Sequence, residues 1–105
     1  CPGEHVAAVR SRGGGQVWRY ELEVPPPGGA AVSHGSELGF VFDAPEGPPM
    51  QAYWLNFAQG GDPNGSGLKA WPTYGSQADY LAFTATGPVE RRGLGRAACL
   101  SLQRP

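Results

Sequence analysis

The residues predict a mixed α and β chain that does not close on itself, and three stretches carry that expectation. Residues 17–24 alternate, with Trp18, Tyr20, Leu22 and Val24 apolar and Arg19, Glu21 and Glu23 polar. That is the period of a strand with one wet face. Met50, Tyr53, Trp54, Phe57 and Ala58 fall at i, i+3, i+4, i+7 and i+8, which is one apolar face of a helix. Residues 80–84 form a second, shorter strand. Two strands are marginal by themselves, so the pattern points to a piece of a larger fold.

The remaining elements follow in order. Pro2, Glu4 and the run from Val6 to Val9 predict a short helix, since Pro is preorganised for the first helical position and lacks the donor that would be orphaned there. Gly13, Gly14 and Gly15 end it. After the first strand, Pro25-Pro26-Pro27-Gly28-Gly29 forbids helix and ladder alike, because three residues offer no amide donor. Residues 32–38 are a polar cluster between that strand and the apolar run Phe40-Val41-Phe42. They read as a loop on a scaffold, where functional groups tend to sit. Pro48 and Pro49 introduce the long helix, Gly60 and Gly61 stop it, and Asp62-Pro63-Asn64-Gly65 makes a turn. Trp71-Pro72-Thr73-Tyr74 is a loop with aromatic anchors, and Leu94, Ala97, Ala98 and Leu102 give a last helix one apolar face. No internal repeat is present, and residues 1–105 read as part of a single domain without an internal boundary.

Composition narrows the function. The 105 residues include 17 Gly and 11 Pro, but three Trp, four Tyr and four Phe, with 40% apolar and 16% charged residues, indicate a packed core rather than disorder. Eight Lys and Arg against nine Asp and Glu leave no basic field to hold nucleic acid or a membrane surface. The longest apolar runs are only a few residues, too short for a transmembrane helix. Cys1-Pro2-Gly3 is neither an initiator Met nor a signal peptide, so the chain is expected to be a fragment of a longer one. Cys1 and Cys99 do not make a zinc pattern; they suit one long-range disulfide or two free thiols.

Chemistry is sparse. None of the six serines lies in a G-x-S-x-G elbow, and neither a helical His pair for metal nor a Gly-rich phosphate loop occurs, so no metal or cofactor is expected. Asn64-Gly65-Ser66 matches a glycosylation sequon, a pattern common by chance. His34 is the candidate catalytic residue. A neutral imidazole can take a proton from a hydroxyl and return it to a leaving group, although a lone loop His is more often a solvated or capping side chain. His5 lies in a charged helical stretch and carries no chemistry in this reading.

Context strengthens the case for His34. The run Val32-Ser33-His34-Gly35-Ser36-Glu37-Leu38-Gly39-Phe40-Val41-Phe42 is followed by Tyr53-Trp54-Leu55-Asn56-Phe57-Ala58, by Gly61-Asp62-Pro63-Asn64-Gly65 and by Trp71-Pro72-Thr73-Tyr74. In this order they resemble the C-terminal part of type-B carboxylesterases, the family of cholinesterases and bacterial para-nitrobenzyl esterases. The resemblance runs from Cys1-Pro2 to Ala98-Cys99. It implies the C-terminal portion of an α/β-hydrolase fold, a mostly parallel sheet flanked by helices and incomplete in this chain, with triad partners in the order Ser, acid, His.

By that resemblance, His34 in the H-G-x-E pattern matches the triad His. Glu37 matches the pattern's Glu, buried behind the triad and fixing its hydrogen bonds; a helix-start carboxylate favoured by the dipole is the alternative. Ser36 stands where cholinesterases carry an aromatic residue near the choline site, which disfavours a quaternary ammonium substrate. Cys1 and Cys99 match the positions of a family disulfide, implying their pairing. The segment from Asp43 to Pro49 is shorter than usual, Lys69 replaces a Pro before the Trp-Pro pair, and the usual aromatic ending after Cys99 is absent. The expected function is a serine carboxylesterase, secreted or periplasmic, acting on small-molecule esters once joined to the remainder of its chain. A non-catalytic cholinesterase-like adhesion module is the alternative.

Overall fold

The computed structural model describes residues 2–25, 29, 31–42, 48–75, 77–93 and 96–102, without the side chains of 96, 97 and 100. The predicted first helix is α1 (Pro2–Arg12), with Glu4 in its first turn and Arg10 and Arg12 in its last, each sign matched to the helix dipole. Gly13 donates to the Val9 carbonyl at 3.0 Å, and Gly14, at φ 87°, turns the chain away. Ala7 packs with Tyr74 and Ala78. Beside them the Tyr74 hydroxyl donates to buried Glu4 Oε1 at 2.7 Å, giving that carboxylate the partner that burial demands.

Three strands form one sheet in the order β1 (Tyr20–Leu22), β2 (Asp79–Thr84), β3 (Gly87–Arg92). β1 runs parallel to β2, with Tyr20 opposite Leu81, and β2 runs antiparallel to β3, with Leu81 opposite Glu90. The first strand is thus shorter than the predicted 17–24. Its backbone bonds reach only from the Arg19 carbonyl, accepting from Leu81 at 3.0 Å, to the Glu23 amide, donating to Phe83 at 2.9 Å. The Val17 carbonyl turns instead to the Tyr74 amide at 2.7 Å. The side-chain alternation holds nonetheless, since Trp18, Tyr20, Leu22 and Val24 all pack on the core.

β2 lies between two neighbours, and Tyr80, Leu81, Ala82 and Phe83 are all buried. β3 is an addition to the two predicted strands. Gly-Pro-Val-Glu-Arg-Arg shows no apolar alternation because the strand is an exposed edge, where Pro88 forfeits no central ladder bond. A tight turn brings it back, with Thr84 Oγ1 donating to the Gly87 carbonyl at 2.6 Å. Arg91 pairs with Glu23, and Arg92 with Asp79 at 3.2 Å; both are solvent-exposed pairs that add little stability.

α2 (Leu38–Phe42) and α3 (Met50–Gly60) cover the sheet. Phe40, Val41, Met50, Tyr53, Trp71, Leu81 and Phe83 form the main core. The predicted stripe of α3 is buried at its start, but Phe57 is 52% exposed. Gly61 ends the helix in the left-handed region at φ 76°, its amide donating to the Phe57 carbonyl, a conformation glycine adopts without strain.

The last helix, α4 (Arg96–Leu102), departs from the predicted face. It buries Cys99, whereas Ala98 and Leu102 are exposed. One residue of offset rotates a helix by about 100°, enough to turn the expected stripe outward. Leu94 lies outside the described residues.

Candidate active site

In open α/β sheets, ligands bind beyond the carboxyl ends of parallel strands. The chain leaving the carboxyl end of β1 passes Pro25 and arrives at a turn made by His34, Gly35, Ser36 and Glu37. Gly35 takes φ 84° there, a value an L side chain would resist. The turn is fastened from within. Buried Ser36 donates its amide to the Ser33 carbonyl at 3.1 Å, and its Oγ accepts the Ser33 amide at 2.8 Å. Leu38 then donates to the Gly35 carbonyl at 3.2 Å and Val41 to that of Glu37 at 3.0 Å, which starts α2. Phe40 and Val41 anchor that helix in the core.

His34 is exposed on the outside of this turn. Its neighbours Val32, Leu38 and Phe42 are also exposed, Phe42 by 73%. Glu37 is half-buried at the foot of α2. Burial, and secondarily the Glu37 charge, push the Tyr20 phenol above its ordinary pKa, so the carboxylate stands close enough to β1 for its field to be felt there. The turn therefore joins an outward imidazole to an inward carboxylate. An imidazole of this kind can accept and return a proton; Ser36 is buried and committed to the turn.

A cavity of about 320 Å³, lined by Trp18, Tyr20, Tyr53, Trp54, Phe57 and Trp71 among others, opens on the same domain. Neither His34 nor Glu37 lines it, yet Tyr20 belongs both to its wall and to the Glu37 environment. No group of three or more His, Cys, Asp or Glu suited to a metal ion occurs among the described residues. Cys99 is buried in α4, and Cys1 lies outside the described residues.

Sequence reasoning missed two residues around the site. Tyr20 read only as one apolar position of a strand, and nothing local marks its proximity to Glu37. Asn64 read as a turn residue and the first position of a chance-level sequon. Its carboxamide in fact grips the Trp71 backbone, accepting from the amide at 2.6 Å and donating to the carbonyl at 3.1 Å. The Trp71 indole Nε1 donates onward to the Arg19 carbonyl at 2.9 Å, just before β1.

Residues 1–99 match the model of the carboxylesterase family. The chain belongs to that family. Among its relatives are dog (Canis lupus familiaris) carboxylesterase 5A, 33% identical over 76% of this chain, and bovine (Bos taurus) carboxylesterase 4A, 34% identical over 80% of it. This chain spans 18% of the length of each. A crystal structure of the Geobacillus stearothermophilus carboxylesterase EST55 superposes with a TM-score of 0.70 at 27% identity, over 90% of this chain and 24% of that one. The small mixed sheet and its helices are accordingly a partial α/β-hydrolase fold, in which one of the two ladders, β1 with β2, has the parallel sense expected of the family sheet.

Proposed function

We propose that this carboxylesterase chain supplies the general base, His34, to a serine esterase whose nucleophile and triad acid lie upstream. The observation that carries the reading is the exposed imidazole on a hydrogen-bonded turn following parallel strand β1, in a member of this family. In the mechanism, His34 accepts the proton of the upstream Ser hydroxyl as its oxygen attacks the ester carbonyl. It then returns that proton to the departing alkoxide, and the cycle repeats with water on the acyl-enzyme. An upstream carboxylate orients the ring, and backbone amides upstream hold the oxyanion. Glu37 braces the His turn from its inner side. The substrate is a small carboxylic ester, with no metal or cofactor in the reaction.

Treating the full-length protein with a fluorophosphonate tests this. One serine, in a G-x-S-x-G elbow upstream of Cys1, is expected to be labelled, with parallel loss of ester turnover. A Gly or Ala at that position would defeat the proposal and leave a non-catalytic binding module.

Pairing of Cys1 with Cys99 belongs to the same proposal, along with a secreted or periplasmic location, where disulfides persist. No described cysteine carries a free thiol, which supports the bond. A closed loop of this length is expected to contribute about 4–5 kcal/mol at most in the chain-entropy model. A non-reducing peptide map should recover the two cysteines in one linked fragment; recovery of both as alkylated free thiols would refute the pairing.

A further inference from the structure

We infer that Asn64 is a backbone clamp and that its sequon, Asn64-Gly65-Ser66, is closed to N-glycosylation in the folded protein. The amide of Asn64 has two N–H donors and both are committed. One is given to the Trp71 carbonyl at 3.1 Å, the other to Asp62 Oδ1 at 2.9 Å. Its Oδ1 accepts the Trp71 amide at 2.6 Å. The same Asp62 oxygen also receives the Asn64 backbone amide at 2.9 Å, and these bonds hold the Asp62 carboxyl below its usual pKa.

Geometry makes the conflict specific. Gripping the N–H and C=O of one residue requires the Nδ2 hydrogen on the same side as Oδ1. N-glycosylation forms a bond from the sugar's anomeric carbon to Nδ2, releases one Nδ2 hydrogen as a proton, and expels the lipid diphosphate carrier. The trans form favoured by a secondary amide puts the new carbon on the Oδ1 side, where the Trp71 carbonyl lies. The opposite side holds Asp62. The turn has little room to yield, because a side chain at Gly65 would meet Asn56 Nδ2 at 2.5 Å, and that nitrogen already donates to the Pro63 carbonyl at 3.2 Å. Ser66 is exposed, so closure comes from the Asn and not from the hydroxyl position.

The clamp also reaches β1. Asn64 fixes the Trp71 backbone, and the Trp71 indole bonds the Arg19 carbonyl, which is the first acceptor of the β1–β2 ladder. The test is expression of the full-length carboxylesterase behind a secretory leader in a glycosylating eukaryotic host, with an Asn-Gly-Ser tag at one terminus as an internal control. Peptide mass spectrometry after N-glycanase treatment in heavy-oxygen water should show the tag occupied and Asn64 unmodified in the folded, active fraction. Asn64→Ala and Asn64→Gln should each lose activity on heating about tenfold faster, as expected when a half-buried, bidentate contact is removed. A glycan on Asn64 in active enzyme, or either variant inactivating at the wild-type rate, would overturn the inference.

Discussion

Replacing His34 with Ala in the full-length esterase is expected to lower kcat by roughly four to six orders of magnitude, with little change in KM, as in triad knockouts of other serine hydrolases. In the proposed mechanism the imidazole acts mainly in the transition state, taking the Ser proton while the tetrahedral oxyanion forms, whereas substrate binding rests on the pocket walls. His34 is exposed on its turn and packs in neither hydrophobic core of this chain, so truncation does not disturb the turn's own packing, and a large loss of activity in a well-folded variant would reflect chemistry. His5→Ala is the matched control, exposed on α1, and should be close to silent. Glu37→Gln should fall between them, since an amide keeps the shape but removes the charge beside Tyr20. Steady-state kinetics on variants with wild-type circular dichroism will decide, and a His34→Ala enzyme keeping more than about a tenth of wild-type kcat would exclude His34 as the general base.

The largest expected effect on stability comes from Trp71→Ala, about 3–5 kcal/mol. The ring is buried and makes edge contacts with Tyr20, Tyr53 and Phe83 at centroid distances of 6.0, 5.6 and 5.8 Å. Its loop is fastened on both flanks, through Asn64 and through the Tyr53 hydroxyl, which donates to the Lys69 carbonyl at 2.6 Å. Truncation thus empties the point where α3, the 62–71 segment and β1 meet. Trp71→Phe retains most of the volume but removes the indole bond to the Arg19 carbonyl, which still accepts from the Leu81 amide, at about 0.5–1.5 kcal/mol. Denaturant midpoints at constant slope measure both. Equal losses for Ala and Phe would show that the hydrogen bond, and not the packing, dominates.

Local periodicity made most of the helices and the first two strands legible. Pro2, the Gly13 to Gly15 stop and the Met50 to Phe57 stripe are short-range signals, and the elements form where those signals fall. What escaped depended on distant partners. β3 is held by its hairpin to β2, with Pro88 opposite Phe83, and an exposed edge strand has no apolar alternation to betray it. β1 was predicted too long because side-chain alternation continues after the ladder has ended: Trp18 and Val24 pack on the core without strand pairing. The offset of α4 follows from Cys99, an apolar position that the Leu94, Ala97, Ala98 and Leu102 stripe did not include.

The candidate site shows the same division. His34 and Glu37 are singled out by their resemblance to a four-residue family pattern, which the chain folds into a single turn. The fastening of that turn by Ser36 and the closeness of Glu37 to Tyr20 involve spatial relations that the pattern alone does not encode. Asn64 is the clearest case, since in one dimension it is a turn residue at the head of a sequon, while its bonds to Trp71 span the loop.

The most direct test of the account is a crystal structure of the full-length carboxylesterase. His34 Nε2 should lie about 2.6–3.2 Å from the Oγ of a serine at a strand-to-helix elbow, with an upstream carboxylate on Nδ1. An imidazole still facing solvent, with no serine hydroxyl within reach in a complete and folded chain, would contradict it.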